Sequence, residues 1–387
     1  MAMRDVSIIG VGQMPVSEHW DAGLRQLALG AIQAALRDAA VQQVDAVIVG
    51  NALGGNLSGQ NHLGALVADS TGLSGVEAVR IEAADASGGM ALRQGYLAVA
   101  SGLAETVLVV GVEKATDRTG PERDTSLATT LDADYEATPG ATPAALAGLL
   151  MRRYMHEHGV ALEQFEPFSI NAHANGALNA NAMYRNKLRP GAFAKAPVVA
   201  DPVNLFDSAP EGDGAAAVVL TSAARALDLA PRPVRIAGSA AATDTLALHN
   251  RADLLFLRAA NLAAGRAYEA AGIAPGDLHL AELHDSFTVL TALQLEAIGF
   301  ARRGEGWKPA VEGAIGREGR LPISTFGGLK ARGNPLGATG VYQAVEVALQ
   351  LRGEAGDNQV SGARLGLTLN LGGLGGTAVA HVLERME

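Results

Sequence analysis

The apolar runs of this chain come at strand length, alternate with helix-length segments, and then start over in the second half. "VSIIGVG" (6–12), "VDAVIVGNALG" (44–54), "VEAVRIEA" (76–83) and "ETVLVVGVEK" (105–114) are short, Val/Ile-rich and nearly uninterrupted. Runs of that kind read as strands buried on both faces. Apolar residues recur at three- and four-residue steps over 23–40, which predicts a helix. The alternation predicts an α/β layer structure around a mainly parallel sheet. The series reopens with "RPVRIAGSAA" (232–241), a helix over 259–271, the strand "LHLAELHD" (278–285) and the helix "FTVLTALQLEAIG". The strand-like "LPISTFGG", a Gly-rich loop, the helix "TGVYQAVEVALQLRG" and two strands around "LGLTLNLGGLGGTAVAHVLE" complete it. Such a restart predicts an internal duplication, two similar lobes meeting face to face with their central helices buried.

The middle third behaves differently. From about 115 to 200 the apolar runs weaken and polar, Pro-bounded helices appear, among them "AALAGLLMRRYMHEHG" and "SINAHANGALNANAMYRN". An excursion of that length suggests a lid or substrate cover. The expected division is 1–115 with 200–228 as the first lobe, 116–199 as the inserted cover, and 229–387 as the second lobe. A chain of 387 residues is long for one core, which agrees with two lobes.

Composition closes off several chemistries. There is no cysteine, which removes disulfides, thiolate metal sites and cysteine nucleophiles together. The nine histidines are scattered; His156 and His158, two apart, diverge on a helix, so no metal site is expected. The net charge of −10 is spread out with no basic block, which argues against nucleic-acid binding. No apolar stretch reaches membrane-spanning length and no signal pattern opens the chain, so a cytoplasmic protein without membrane insertion is expected. "GVGQMP" lacks the G-x-G-x-x-G spacing of a dinucleotide site.

Several segments, in chain order, resemble the thiolase superfamily, in particular its sterol-carrier-protein-type (lipid-transfer-type) members. "EAADASGG" (82–89) resembles the nucleophile turn E-A-A-C-A-S-G-G, and "PVNLFDSAPEGDGAAAVVLTS" (202–222) the strand-return segment. "ELHDSF" (282–287) resembles the H-D-C-F box, and "GGLKARGNPLGATG" (327–340) the run G-G-x-K-A-x-G-H-P-x-G-A-T-G. "HANGALNANAMYR" (173–185) is similar to the cover segment of the same group. The resemblance implies a thiolase fold: two duplicated βαβαβαββ lobes in five α-β-α-β-α layers, with an inserted cover domain. It also implies a homodimer formed through the first lobe and a pocket for an acyl thioester of coenzyme A, taken as substrate or ligand with no further cofactor.

The chain departs from that pattern at its chemical positions. Asp85 stands at the nucleophile position, and a carboxylate attacking a thioester would give an easily hydrolysed mixed anhydride. Two readings of Asp85 stay open: a helix N-cap bonded to the N–H of Ser87 or Gly88, or a general base facing the substrate. Asn334 replaces the activating histidine; it cannot take up a proton, but it can hydrogen-bond or shape a turn with Pro335. His284 and Asp285 persist in the H-D-C-F box, where the histidine resembles the oxyanion donor, while Ser286 replaces the second acid/base cysteine. "NLGGLGG" (370–376) brings Gly373 and Gly375, whose N–H groups would join that of residue 85 in an oxyanion hole. His173 and Lys330 are the substrate-binding candidates that the resemblance supplies.

This set can polarise a thioester carbonyl and hold an enolate without covalent attachment. It fits retro-aldol cleavage of a β-hydroxyacyl thioester. Some relatives lacking the nucleophile are aldolases paired with a small OB-fold, zinc-ribbon partner, although those resemble a version with tyrosines at the positions of His284 and Asn334. Two alternatives stand beside it: a non-catalytic acyl-thioester or lipid-binding subunit, and residual acyltransferase or hydrolase activity.

Overall fold

The structure is a computed structural model that describes residues 3–386. Its strands are β1 (Val6–Gln13), β2 (Ala46–Gly50), β3 (Glu77–Ile81), β4 (Thr106–Glu113), β5 (Val198–Ala200), β6 (Val203–Asn204), β7 (Gly214–Ser222), β8 (Val234–Thr243), β9 (Leu280–Leu283), β10 (Leu365–Gly372) and β11 (Thr377–Arg385). Among the described residues β5 and β6 form a small ribbon, and the others join in one sheet of order β3-β2-β4-β7-β1-β8-β11-β10-β9. The two halves meet where β1 and β8 pair antiparallel over two positions, Ser7 with Arg235 and Ile8 with Val234.

The duplication is visible in the pairings. Outward from β1 come β7 (antiparallel), β4 (antiparallel), β2 (parallel) and β3 (parallel). Outward from β8 come β11 (antiparallel), β10 (antiparallel) and β9 (parallel), and then a single parallel bridge from Ala281 to Ile323.

Two expectations are corrected. The sheet is mixed rather than mainly parallel, because the last strand of each half, β7 and β11, runs antiparallel to both of its neighbours. β10 and β11 are joined by a tight hairpin closed at Gly372 and Thr377, which admits only antiparallel pairing. "LPISTFGG" is not a strand but a loop reduced to that one bridge. Asn171, Asn175 and Asn179, four residues apart, donate to the carbonyls of Ile323, Ser324 and Phe326, and Ser324 is left-handed at φ 48°. With its carbonyls bonded to side chains, the segment has no ladder to build.

The layers follow from burial on both faces. Val107 and Val109 of β4 and Val218 and Leu220 of β7 face the helices Ser87–Ser101 and Thr339–Arg352. Leu108, Val110, Ala217 and Val219 face the outer helix Leu24–Asp38. The helix Arg258–Ala271 covers β8 and β11 from the other side. The two central helices therefore lie between the half-sheets, giving five layers. They touch backbone to backbone: a Cβ on Gly340 would lie 2.1 Å from the Gly89 nitrogen.

The inserted segment packs on the second half. Its helices Pro143–His158 and Glu166–Gly176, with Phe165 just before the second, bury Leu150, Met151, Phe165 and Phe168 in one core with Leu290 and Leu293. Tyr154 anchors it with a 2.6 Å bond from its hydroxyl to Glu296. Among the described residues no helix is long and apolar enough to cross a membrane.

Candidate active site

Both central helices begin at the same place, and their N-termini carry the chemical positions. The chain leaves β3 through a tight turn in which Ala84 is left-handed at φ 50°. Ala84 N–H donates to Glu82 Oε1 at 2.6 Å, and Ser87 Oγ accepts from Ala83 N–H at 2.9 Å while donating to the Ala84 carbonyl at 2.5 Å. Ser87 thus stitches the turn. Asp85 is no cap: the helix has Ala86 at its N-cap and no side-chain cap bond, which corrects the capping expectation.

The Asp85 carboxyl, half-buried, instead stands alone at the turn. Burial pushes it up to about 6, with Glu211 and Glu82 adding repulsion. The N–H groups of Gly373 and of Asp85 itself lie near enough to offset part of that rise. A Cβ on Gly372 would lie 2.6 Å from the Ala83 carbonyl oxygen, so the β10–β11 hairpin closes directly over the turn. Gly373 takes part in this site, whereas Gly375 N–H bonds back to the Gly372 carbonyl at 3.1 Å and is spent within the hairpin.

His284, at the end of β9, is fully buried and locked from three sides. Gln294 brackets its backbone, accepting from its N–H at 2.9 Å and donating to its carbonyl at 2.8 Å. Asn370 holds its ring. Asn370 Oδ1 accepts from Gly89 N–H at 3.1 Å, which turns the amide NH2 toward His284 Nδ1 at 3.2 Å. That assignment makes Nδ1 the acceptor and puts the ring hydrogen on Nε2. Nε2 has no partner among the described residues. Burial, aided by the Arg332 charge, lowers the ring to about 3, so it stays neutral and can only donate there.

Asn334 sits just before the second central helix. Its Oδ1 accepts from Leu336 N–H at 3.1 Å and from Thr339 Oγ1 at 3.2 Å, leaving the NH2 as the end that can donate. Its backbone is strapped to a neighbouring strand-like segment: Gly212 N–H donates to its carbonyl at 3.0 Å and its N–H to Pro210 at 2.8 Å. Ser286 is half-buried; its carbonyl accepts from Ala209 N–H at 2.8 Å, and its hydroxyl bonds no titratable side chain among the described residues. Asp285 points elsewhere. One oxygen accepts from Leu329 N–H at 2.6 Å and the other from Ser324 Oγ at 3.2 Å, so it fixes the 324–329 loop.

A cavity of about 860 Å³ opens between the insert and the 205–211 segment, with Leu188, Leu205, Phe206 and Phe287 among its apolar walls. His173 and Lys330 both line it. His173 Nδ1 lies 3.2 Å from the Asn186 carbonyl and its ring meets Phe206 edge-on; burial lowers its basicity. Lys330 Nζ donates to the Asp207 carbonyl, and burial lowers the amine to about 8 despite the nearby Asp285 and Asp207. Asp85, His284 and Asn334 are not among the lining residues, but Glu211 is. The sequence reading missed Glu211 and Arg123, whose charges lie 3.8 Å apart at this cavity. Glu211 stands in the quoted segment "APEGDGAAAV", where a lone Glu between Pro and Gly offered the signal. Among the described residues no group of three or more His, Asp or Glu side chains is arranged to hold a metal ion.

Comparison with known proteins places this geometry. Residues 6–201 match the thiolase N-terminal domain and residues 240–385 the thiolase C-terminal domain-like family. An acetyl-CoA acetyltransferase of Methanothermobacter thermautotrophicus is 43% identical over 99% of this chain and 100% of its own length. Sterol carrier protein 2 of Bos taurus is 30% identical, over 98% of this chain and 72% of that protein. Among solved structures, the Ltp2-ChsH2(DUF35) aldolase superposes with a TM-score of 0.86 at 26% identity, covering 98% of this chain and 97% of that one. Fold, motif order and relatives agree end to end: the chain belongs to the thiolase superfamily.

Proposed function

We propose that the chain binds acyl-coenzyme A thioesters under the 116–199 cover and makes or breaks a carbon–carbon bond in them without an acyl-enzyme. The observation that carries this reading is His284, a buried neutral imidazole whose Nε2–H is oriented by Asn370 and has no acceptor among the described residues. A donor held ready for a developing negative charge is what enolate chemistry requires. Asp85, lifted to about 6, supplies a base matched to neutral pH. In retro-aldol cleavage of a β-hydroxyacyl thioester, Asp85 takes the hydroxyl proton and the Cα–Cβ bond breaks. The new carbonyl leaves as aldehyde or ketone, and the electron pair moves to the thioester oxygen at His284. Protonation of Cα then releases the shortened thioester.

The Ltp2-ChsH2(DUF35) aldolase, similar in structure, supports this chemistry and carries a DUF35 subunit in its name. We therefore include a small OB-fold accessory protein among the partners, alongside a second copy of the chain. The 43% identical relative is named for acyl transfer, but a chain with no cysteine has no thiolate to carry the acyl group.

The test is a panel of β-hydroxyacyl- and β-ketoacyl-CoA esters, with and without any OB-fold protein encoded beside the gene. The expected result is aldehyde or ketone release that disappears in Asp85→Ala and His284→Ala. Tight binding with no turnover in any combination would sink the lyase reading in favour of a non-catalytic subunit. Thiolysis of acetoacetyl-CoA at thiolase rates would refute the loss of acyl transfer.

A further inference from the structure

Two prolines open the second half of the chain in "PRPVR" (231–235). Each fixes its own φ, so Arg232 between them rides on a stiff segment. β8 starts at Val234, which stands opposite Ile8 of β1 on one side and opposite Arg385 of β11 on the other. That register sets Arg385 beside the proline segment, where the two half-sheets join. The central helix Thr339–Arg352 ends at the same place, and its last residue brings a third guanidinium. Arg232, Arg352 and Arg385, with Pro231 and Pro233, line a cavity of about 250 Å³ that shares no wall residue with the one under the cover.

The Arg352 side chain is only 4% exposed. Its Nη1 donates to Asp38 Oδ2 at 2.7 Å, and that oxygen also accepts from Val11 N–H at 2.8 Å, so the anchor is itself held. Nε and Nη2 have no partner among the described residues. These two form the side edge of the guanidinium, whose parallel N–H groups match two oxygens of a carboxylate or phosphate. Buried donors left bare cost stability, and a buried charge is ordinarily met by an opposite one. Asp38 meets it at one corner. Glu354 lies 3.9 Å from Arg352 Nη1 and 3.8 Å from Arg232 Nη1, beyond hydrogen-bond reach. The carbonyls at the helix end would repel an anion, but Arg232 Nη1 donates to the Arg352 carbonyl at 2.8 Å and offsets that. Three guanidiniums against two carboxylates leave one positive charge to be matched.

We propose that this cavity binds a small oxyanion, a phosphate or a carboxylate, on the side edge of Arg352, with Arg232 and Arg385 closing over it. The anion ties the end of the central helix to β8 and β11 and, through Asp38, to the outer helix Leu24–Asp38. It secures the junction of the two lobes, and the site does not rest on the lyase reading.

The experiment titrates inorganic phosphate into the full-length protein, free of coenzyme A, and reads binding by phosphorus NMR. Acetate is added as a competitor, and chloride at matched ionic strength is the control. Saturable phosphate binding is expected, with the thermal transition raised by about 2–3 °C over the chloride control. Affinity should fall about tenfold or more in Arg352→Lys, which keeps the charge but offers no paired edge. It should fall by a smaller factor in Arg385→Gln; Arg385 is exposed, so this variant folds even where Arg352→Lys does not. Displacement of phosphate by acetate supports a site for either anion, and phosphate held against acetate supports a phosphate site. Absence of a saturable effect of either anion over chloride overturns the proposal. Equal binding by the wild type and both variants overturns it as well, because the anion is then held elsewhere.

Discussion

Asp85→Asn should stabilise this protein, and by an amount that depends on pH. The carboxyl is lifted from an ordinary 3.8 to about 6, chiefly by burial. Below pH 4 the carboxyl is protonated both folded and unfolded, and contributes nothing. Between pH 4 and 6 the unfolded chain gives up the proton while the folded chain keeps it, so stability falls as pH rises through that window. Above pH 6 the folded protein carries a desolvated charge that costs about 3 kcal/mol relative to the unfolded state. Asn is nearly isosteric, keeps an oxygen for the Gly373 N–H, and never ionises. The expected gain at pH 8 is therefore up to about 3 kcal/mol, shrinking to nothing near pH 4. For a cooperative transition in a chain of this length that corresponds to roughly 4 °C in Tm at pH 8. Scanning calorimetry of the two proteins at pH 4.5 and pH 8 measures it. An equal Tm difference at both pH values would show that the carboxyl does not titrate near 6, and the argument for a base at this position would fail.

His284→Ala removes the oriented Nε2–H, and kcat for C–C cleavage should drop by about 10²–10³-fold with little change in KM; an equal rise in KM would mean the ring binds substrate without following the transition state. Because the wild-type chain has no cysteine, Asp85→Cys should take up one equivalent of iodoacetamide, read by intact mass. Adding Asn334→His to that variant should restore an acyl-enzyme on acetoacetyl-CoA, and its absence would show that the pocket no longer presents a thioester carbon to residue 85. Gly340→Ala forces a Cβ to 2.1 Å from the Gly89 nitrogen, and with backbone on both sides the loss should be at least about 2 kcal/mol in denaturant unfolding.

The strands were legible because both of their faces are buried. Val107–Val112 and Ala215–Leu220 had no polar face to interrupt the apolar run, and the repeated order of such runs carried the duplication. Strand direction was not legible, since apolar runs carry no sign of whether a partner returns by a hairpin or a crossover. "LPISTFGG" has the residues of a strand, yet three asparagines distant in sequence take its carbonyls. Motif resemblance located Asp85, His284 and Asn334, but could not tell which oxygen faces what. Asp285 is adjacent to His284 yet turns to the 324–329 loop, where the Leu329 N–H and the Ser324 hydroxyl bind its two oxygens. Glu211 went unseen because its relation to Asp85 and Asn334 exists only after the 205–211 segment has folded back beside the second central helix.

The energetics of the site bear on the choice between a lyase and a binding subunit. Three features of the site cost stability: a left-handed Ala84, a carboxyl raised by desolvation at Asp85, and a His284 N–H without an acceptor among the described residues. Each is of the order of 1–3 kcal/mol, and each would be relieved by an ordinary substitution such as Ala84→Gly or Asp85→Asn. A fold retained only for assembly has no use for them, whereas a base and an oxyanion donor must be held in these states to act. The two readings therefore part on a single variant. If the chain only binds thioesters, Asp85→Asn gains stability at pH 8 and keeps its CoA-ester affinity, with no activity lost because none was present. If the lyase reading holds, the same stability gain comes with loss of aldehyde release from a protein that still binds its substrate.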